Sequence, residues 1–123
     1  MIYMLDANAM ILLLDLHETV LKNARQCSEG DLCISAIAYA EVARGSGSGK
    51  PPPDDLLAQA IAQIHVVPFD DLAGRRYAEL PFARHRFDRL IAAHALSLDL
   101  TLITANLRDF ADIPGLKVED WTI

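Results

Sequence analysis

Four carboxylates in this chain stand where a small sheet would deliver them to one place. Asp6 closes an apolar run at residues 2–5, and Asp109 follows the apolar pair Leu102-Ile103, with Asn106 in the turn between. Glu41 falls in the second turn of a predicted helix, and Asp88 lies near the start of another, with Leu90 and Ile91 behind it. Carboxylates brought close together repel and hold one another partly protonated unless a cation intervenes. A hard divalent ion with oxygen ligands, Mg²⁺ or Mn²⁺, answers that repulsion and keeps waters in its shell. Lowering the pKa of one such water makes it a nucleophile for a phosphodiester, and a second ion would stabilise the leaving oxygen. Neither a Ser-His-Asp set nor a G-x-x-x-x-G-K-[ST] loop is present, which removes nucleophilic-serine and P-loop chemistry.

The elements that must position these acids are legible in the hydrophobic pattern. Residues 2–5, 32–34, 66–67, 102–103 and 116–118 read as short buried strands. Between them lie helical stretches: residues 10–14 capped by Asn8, 18–27 ending before Gly30, 35–43 capped by Ser35, one opening at Asp54 or Asp55, 70–80, and 86–98. The last is the most amphipathic, with Phe87, Leu90, Ile91, Ala95 and Leu98 on one face. Residues 45–53 read GSGSGKPPP and predict a mobile surface loop without regular structure. Alternating strands and helices imply right-handed crossovers and a mostly parallel central sheet flanked by helices, an α/β single domain over residues 1–123. Ligands of such sheets bind outside the carboxyl ends of the strands, where all four acids can meet.

Composition is compatible with that picture. The chain has 123 residues, 52% hydrophobic and 23% charged, enough for one real core. Its longest apolar run near the N-terminus, residues 10–14, is too short for a membrane span and lacks the preceding basic residues of a signal peptide, so a cytoplasmic protein is expected. Cys27 and Cys33 lack zinc-site spacing, and Cys33, between Leu32 and Ile34, reads as a buried thiol. His94 shares a helix with Asp88 but faces another way, which suits a packed or surface histidine better than a ligand. The net charge of −6 at first argues against a nucleic-acid partner. Yet Arg75, Arg76, Arg84, Arg86 and Arg89 stand against only Glu79 and Asp88, a local balance of +3 that leaves −9 elsewhere. A basic patch beside an acidic centre suits a polyanion held by arginine, although a solvated helix face has the same composition.

Four segments carry a family resemblance: MLDAN at 4–8, ISAIAYAE at 34–41, FDRLIAAHAL at 87–96 and TANLRDF at 104–110. In that order and spacing they resemble the PIN-domain ribonucleases, and most closely the VapC-type toxins of toxin–antitoxin operons. The ending PGLKVEDW at 114–121 is similar to the tail of many of those toxins. The resemblance implies a Mg²⁺- or Mn²⁺-dependent endoribonuclease acting on RNA, a homodimer, and inhibition by a cognate antitoxin that obstructs the site. Asp6, Glu41 and Asp88 match the family's three core acids and Asp109 the fourth. Asn106 falls where some relatives carry another aspartate, and Asn8 and Thr104 match supporting polar positions. Two departures stand out: Ala7 replaces a common Thr or Ser, and PFARHR at 81–86 replaces a Gly-rich loop, which bears on substrate choice more than on catalysis.

Two rival readings define what the site must exclude. Asp6 in D-x-N after a first strand would suit a phosphotransferase with a covalent aspartate, which needs a lysine near the pocket. A non-catalytic binding module of the same fold would need no intact acids, yet here the acids are intact.

Overall fold

A computed structural model of the chain describes residues 1–81, 84 and 86–123; Phe82, Ala83 and His85, and with them half of the segment PFARHR, lie outside the described residues. The order is β1 (Tyr3–Leu5), α1 (Ala7–Leu14), α2 (Glu18–Arg25), β2 (Leu32–Ser35), α3 (Ala36–Gly47), α4 (Asp54–Ala60), β3 (His65–Val67), α5 (Asp71–Glu79), α6 (Arg86–Ser97), β4 (Thr101–Ile103), a 3₁₀ turn (Leu107–Phe110) and β5 (Val118–Glu119). The strands form one sheet in the order β3-β2-β1-β4-β5, and every pairing is parallel. Met4 and Leu5 of the central strand are fully buried, as are Cys33 and Ile34 beside them and Leu102 on the other side. That is the near-continuous apolar signature of strands covered on both faces.

Register aligns the site. Leu5 is level with Ile34 and with Ile103, and Ile103 is level with Glu119. The next residue of each chain therefore lies in one row at the carboxyl edge: Ser35, Asp6, Thr104 and Asp120, with Val67 level with Ser35. Asp6 leaves β1 in extended backbone and turns its side chain onto the first turn of α1, where Oδ1 accepts the Ala9 N–H at 2.7 Å. The predicted cap, Asn8, instead lies exposed within the helix, because the aspartate two residues earlier already meets the free N–H groups. Ser35 caps α3 as expected, its hydroxyl accepting the Ile37 N–H at 3.1 Å.

Two further expectations change. The GSGSGKPPP stretch is partly helical: α3 runs on to Gly47, and Ser46 is buried with its hydroxyl donating to the Pro52 carbonyl. That tertiary bond outweighs the low helix propensity of the glycines and serines. On α6 the buried surface is not the predicted stripe. Phe87 is 58% exposed and Leu98 38%, whereas residues 91–95 are buried without a break. The alanines at 92, 93 and 95 let α6 lie on the sheet while α5 packs along its other side, so burial wraps around the helix. Cys33 is a buried thiol whose pKa is pushed up to about 11 by burial. Among the described residues no helix is long and apolar enough to cross a membrane.

Candidate active site

Asp6 is the centre of the carboxyl edge. It is only 7% exposed, and burial pushes its carboxyl above the usual range. The Ala9 N–H and the Thr104 hydroxyl donate to it and pull the other way, while the charges of Asp88 and Asp120 push it further up. Glu41, half-buried on α3, is also raised, first by burial and then by Asp88 and Asp6. The three acids expected to meet thus share one electrostatic neighbourhood, in which the charge of Asp88 makes Asp6 and Glu41 harder to ionise. Glu41, Asp88, Arg86 and Phe87 line a cavity of about 490 Å³ beside it.

The supporting positions divide. Thr104 is buried against Asp6 and also accepts the Asn106 backbone N–H at 3.1 Å, which holds the following turn. Asn8 is exposed on α1. Asp109 and Asn106 are exposed on and before the 3₁₀ turn and line a separate cavity of about 440 Å³ with Ala105, Leu107 and Arg108. The charges that act on Asp6 from the β4–β5 side come from Asp120, not from Asp109. Pattern reading overlooked Asp120; the signal that would have found it is its place directly after the edge strand, in register with Asp6.

The arginines divide as well. Arg75, Arg84 and Arg86 are exposed, and Arg86 borders the acidic cavity. Arg76 pairs with Glu79 one turn along α5 at 2.8 Å. Arg89 departs from its expected role as a phosphate contact. It is 8% exposed, and its Nη2 donates to both oxygens of Asp112 at 2.9 and 3.0 Å. A step of 100° around α6 from Asp88 carries it away from the pocket, under the loop that follows the 3₁₀ turn. His94 is packed, 1% exposed, as its position relative to Asp88 suggested.

Among the described residues no three acidic, histidine or cysteine side chains converge closely enough to enclose a metal ion. The donor set fits an ion held openly: oxygen donors only, mutually repelling, with a cavity at their side. Mg²⁺ in particular binds through one or two carboxylates and keeps its waters. Asp6, Glu41 and Asp88 are the residues that would hold it.

The geometry is that of a known group of proteins. A family model described as PIN domain matches residues 3–116. The chain is 32% identical over 130 residues to the tRNA(fMet)-specific endonuclease VapC of Salmonella typhimurium, covering 97% of each. Its structure is similar to that of VapBC2 from Rickettsia felis bound to a DNA fragment from its promoter, with a TM-score of 0.84, 27% identity, and 98% and 99% of the two chains covered. It is also similar to VapBC-1 from nontypeable Haemophilus influenzae, with a TM-score of 0.81, 29% identity and full coverage of both chains.

Proposed function

The chain belongs to the PIN-domain family, among its VapC proteins, and we propose that it is an endoribonuclease, the toxin of a toxin–antitoxin pair, held inactive by a cognate antitoxin. Its substrate is RNA, its working form a homodimer, and its compartment the cytoplasm. The observation that carries this reading is the mutual electrostatic coupling of Asp6, Glu41 and Asp88 at the carboxyl edge of a parallel sheet. Relatives named as ribonucleases along nearly their whole length support it, as do similar structures that are VapBC complexes.

Asp6, Glu41 and Asp88 would hold a Mg²⁺ or Mn²⁺ ion, which would supply an acidified water and positive charge against the phosphate. The chain's own residues do the rest. Asp6, fixed by Ala9 and Thr104, is an oriented acceptor for a proton from the attacking water. Glu41 and Asp88 border the cavity from two helices and offer further oxygen donors beside Asp6. Arg86, exposed at the cavity mouth, contacts phosphate, with Arg75 and Arg84 as further contacts along the backbone.

The phosphotransferase rival needs a lysine at the pocket, and none of the three lines the acidic cavity. Lys117 precedes β5 and pairs with Asp99 at 3.2 Å at the opposite end of the sheet, Lys22 lies on α2, and Lys50 is exposed after α3. The decisive experiment incubates the purified chain with a single-stranded RNA in Mg²⁺, Mn²⁺ or EDTA, then repeats it with the product of the neighbouring reading frame. Cleavage in either metal, lost in EDTA and suppressed by the neighbour, is expected. Undiminished cleavage in EDTA would overturn the metal mechanism, and no cleavage of any RNA would overturn the nuclease.

A further inference from the structure

A second polar contact joins α3 to α6 outside the acidic set, with Ser35 in the same strand-end row as Asp6. The Ser35 hydroxyl and His94 Nδ1 are 2.8 Å apart, with Ser35 0% and His94 1% exposed. The backbone carbonyl of Pro68, after β3, also hydrogen-bonds the ring, and Phe69 packs edge-on at 5.2 Å between centroids. With the ring hydrogen on the Pro68 side, Nδ1 accepts from the Ser35 hydroxyl, whose lone pair accepts from the Ile37 N–H. Every polar group of this small network is satisfied, as buried groups require.

Its position matters more than its energy. Glu41 lies six residues after Ser35 along α3, and Asp88 lies six residues before His94 along α6. Six helical residues rise about 9 Å. Each acid therefore sits about 9 Å along its helix from one shared bond. A small change of angle at that bond is magnified where the carboxylates face the cavity, and misplacement by about 1 Å can cost about 100-fold in rate. We infer that Ser35 and His94 are positioning residues, whose hydrogen bond joins α3 to α6 and fixes the spacing of Glu41 and Asp88 for cation binding and turnover. The inference rests on the nuclease reading above.

The test uses the full chain carrying Ser35→Ala, Ser35→Thr, His94→Asn, or Ser35→Ala with His94→Asn. Mn²⁺ affinity is measured without RNA by electron paramagnetic resonance; kcat and KM on an RNA oligonucleotide are measured separately, and folded fraction is read by circular dichroism. Ser35→Ala is expected to weaken Mn²⁺ binding and lower kcat, each by about 10-fold, a fraction of the about 100-fold that a full misplacement of about 1 Å costs. KM should change by less than about twofold, because the phosphate contacts are untouched. Ser35→Thr, which keeps the hydroxyl, restores both, and the double variant is no worse than the more affected single one, as for partners in one bond. Wild-type Mn²⁺ affinity and kcat in the folded fraction of both Ser35→Ala and His94→Asn would overturn the inference while leaving the nuclease standing. Equal losses in Ser35→Thr and Ser35→Ala would overturn it too, since packing rather than the hydrogen bond would be responsible. A wild-type chain that neither takes up Mn²⁺ nor cuts RNA defeats the nuclease reading, and this inference with it.

Discussion

Asp88 and Arg89 are neighbours on α6, yet they belong to opposite electrostatic regimes. On one side, Asp88 adds its charge to those of Asp6 and Glu41, and both of those carboxyls are held above their ordinary range. On the other, Arg89 is buried and neutralised by Asp112, whose carboxyl is held below its ordinary range by that guanidinium. One region concentrates like charge at the cost of stability; the other cancels charge and ties α6 to the loop after the 3₁₀ turn. The contrast separates a site kept for chemistry from a pair kept for structure. Mutations on the two sides should therefore move activity and stability independently.

The largest effect is expected at Asp6. Asp6→Asn keeps the oxygen that caps α1 but removes the central charge, so RNA cleavage should fall by about 10²–10³-fold or more. In metal-free buffer the same variant should be more stable than wild type, by about 1 kcal/mol, or roughly 4 °C in Tm for a domain of this size. Initial rates and thermal melts with and without Mn²⁺ check both halves. Full activity would place the chemistry elsewhere, and a destabilised but active variant would assign Asp6 to the fold alone.

Arg89→Ala reverses the pattern. It removes a buried side chain that pairs with Asp112, and should lower stability by about 2 kcal/mol. Cleavage per folded molecule should stay within about threefold, measured well below the midpoint of unfolding. A large loss of RNA affinity without loss of stability would return Arg89 to the phosphate-binding set.

This pair also shows where sequence reading ends. Strand-end position identified Asp6, and helix periodicity placed Glu41 and Asp88 near it, because each depends on local pattern and on the parallel-sheet rule. The roles of Arg89 and Asp120 depend on tertiary partners: Asp112 is 23 residues away, and Asp120 reaches Asp6 only through the register of β5 on β4. Asn8 and Asp6 both had the chemistry of a cap, and only the turn out of β1 decided between them. The glycine-serine run misled because composition does not show that Ser46 finds the Pro52 carbonyl. The stripe on α6 misled because periodicity locates one buried face, and α5 creates a second.

Arg86 tests the boundary between the two regimes, since it is a cation exposed at the mouth of the acidic cavity. Arg86→Ala should raise KM for RNA about 3–10-fold at low salt with little change in kcat, and reduce the salt dependence of binding by about one counterion. Titrations of affinity between 50 and 200 mM salt, on the order of the range where phosphate contacts weaken, provide the slope. An unchanged slope would remove Arg86 from the substrate path.

The smallest effect concerns pH. Asp6 and Glu41 have folded pKa values raised above their unfolded values, so their contribution to stability is fully present below the unfolded carboxylate pKa and is lost as pH rises through the folded one. Asp112 runs oppositely: its folded pKa is lowered, so its contribution is present above the unfolded pKa and is lost as pH falls through the folded value. Metal-free stability should therefore decline as pH rises from about 4 toward neutrality, and Asp6→Asn should flatten that decline. Asp120 provides the finer discrimination. Its charge is the weakest of those acting on Asp6, and its Oδ1 is already bound by the Thr122 N–H and hydroxyl at 2.8 and 2.6 Å. Asp120→Asn should then shift the acid limb of the pH–rate profile slightly downward and change kcat at neutral pH by no more than about twofold, the scale of a screened charge. A loss as deep as that of Asp6→Asn would instead make Asp120 a member of the metal-binding ring, and would move the site one strand toward the edge of the sheet.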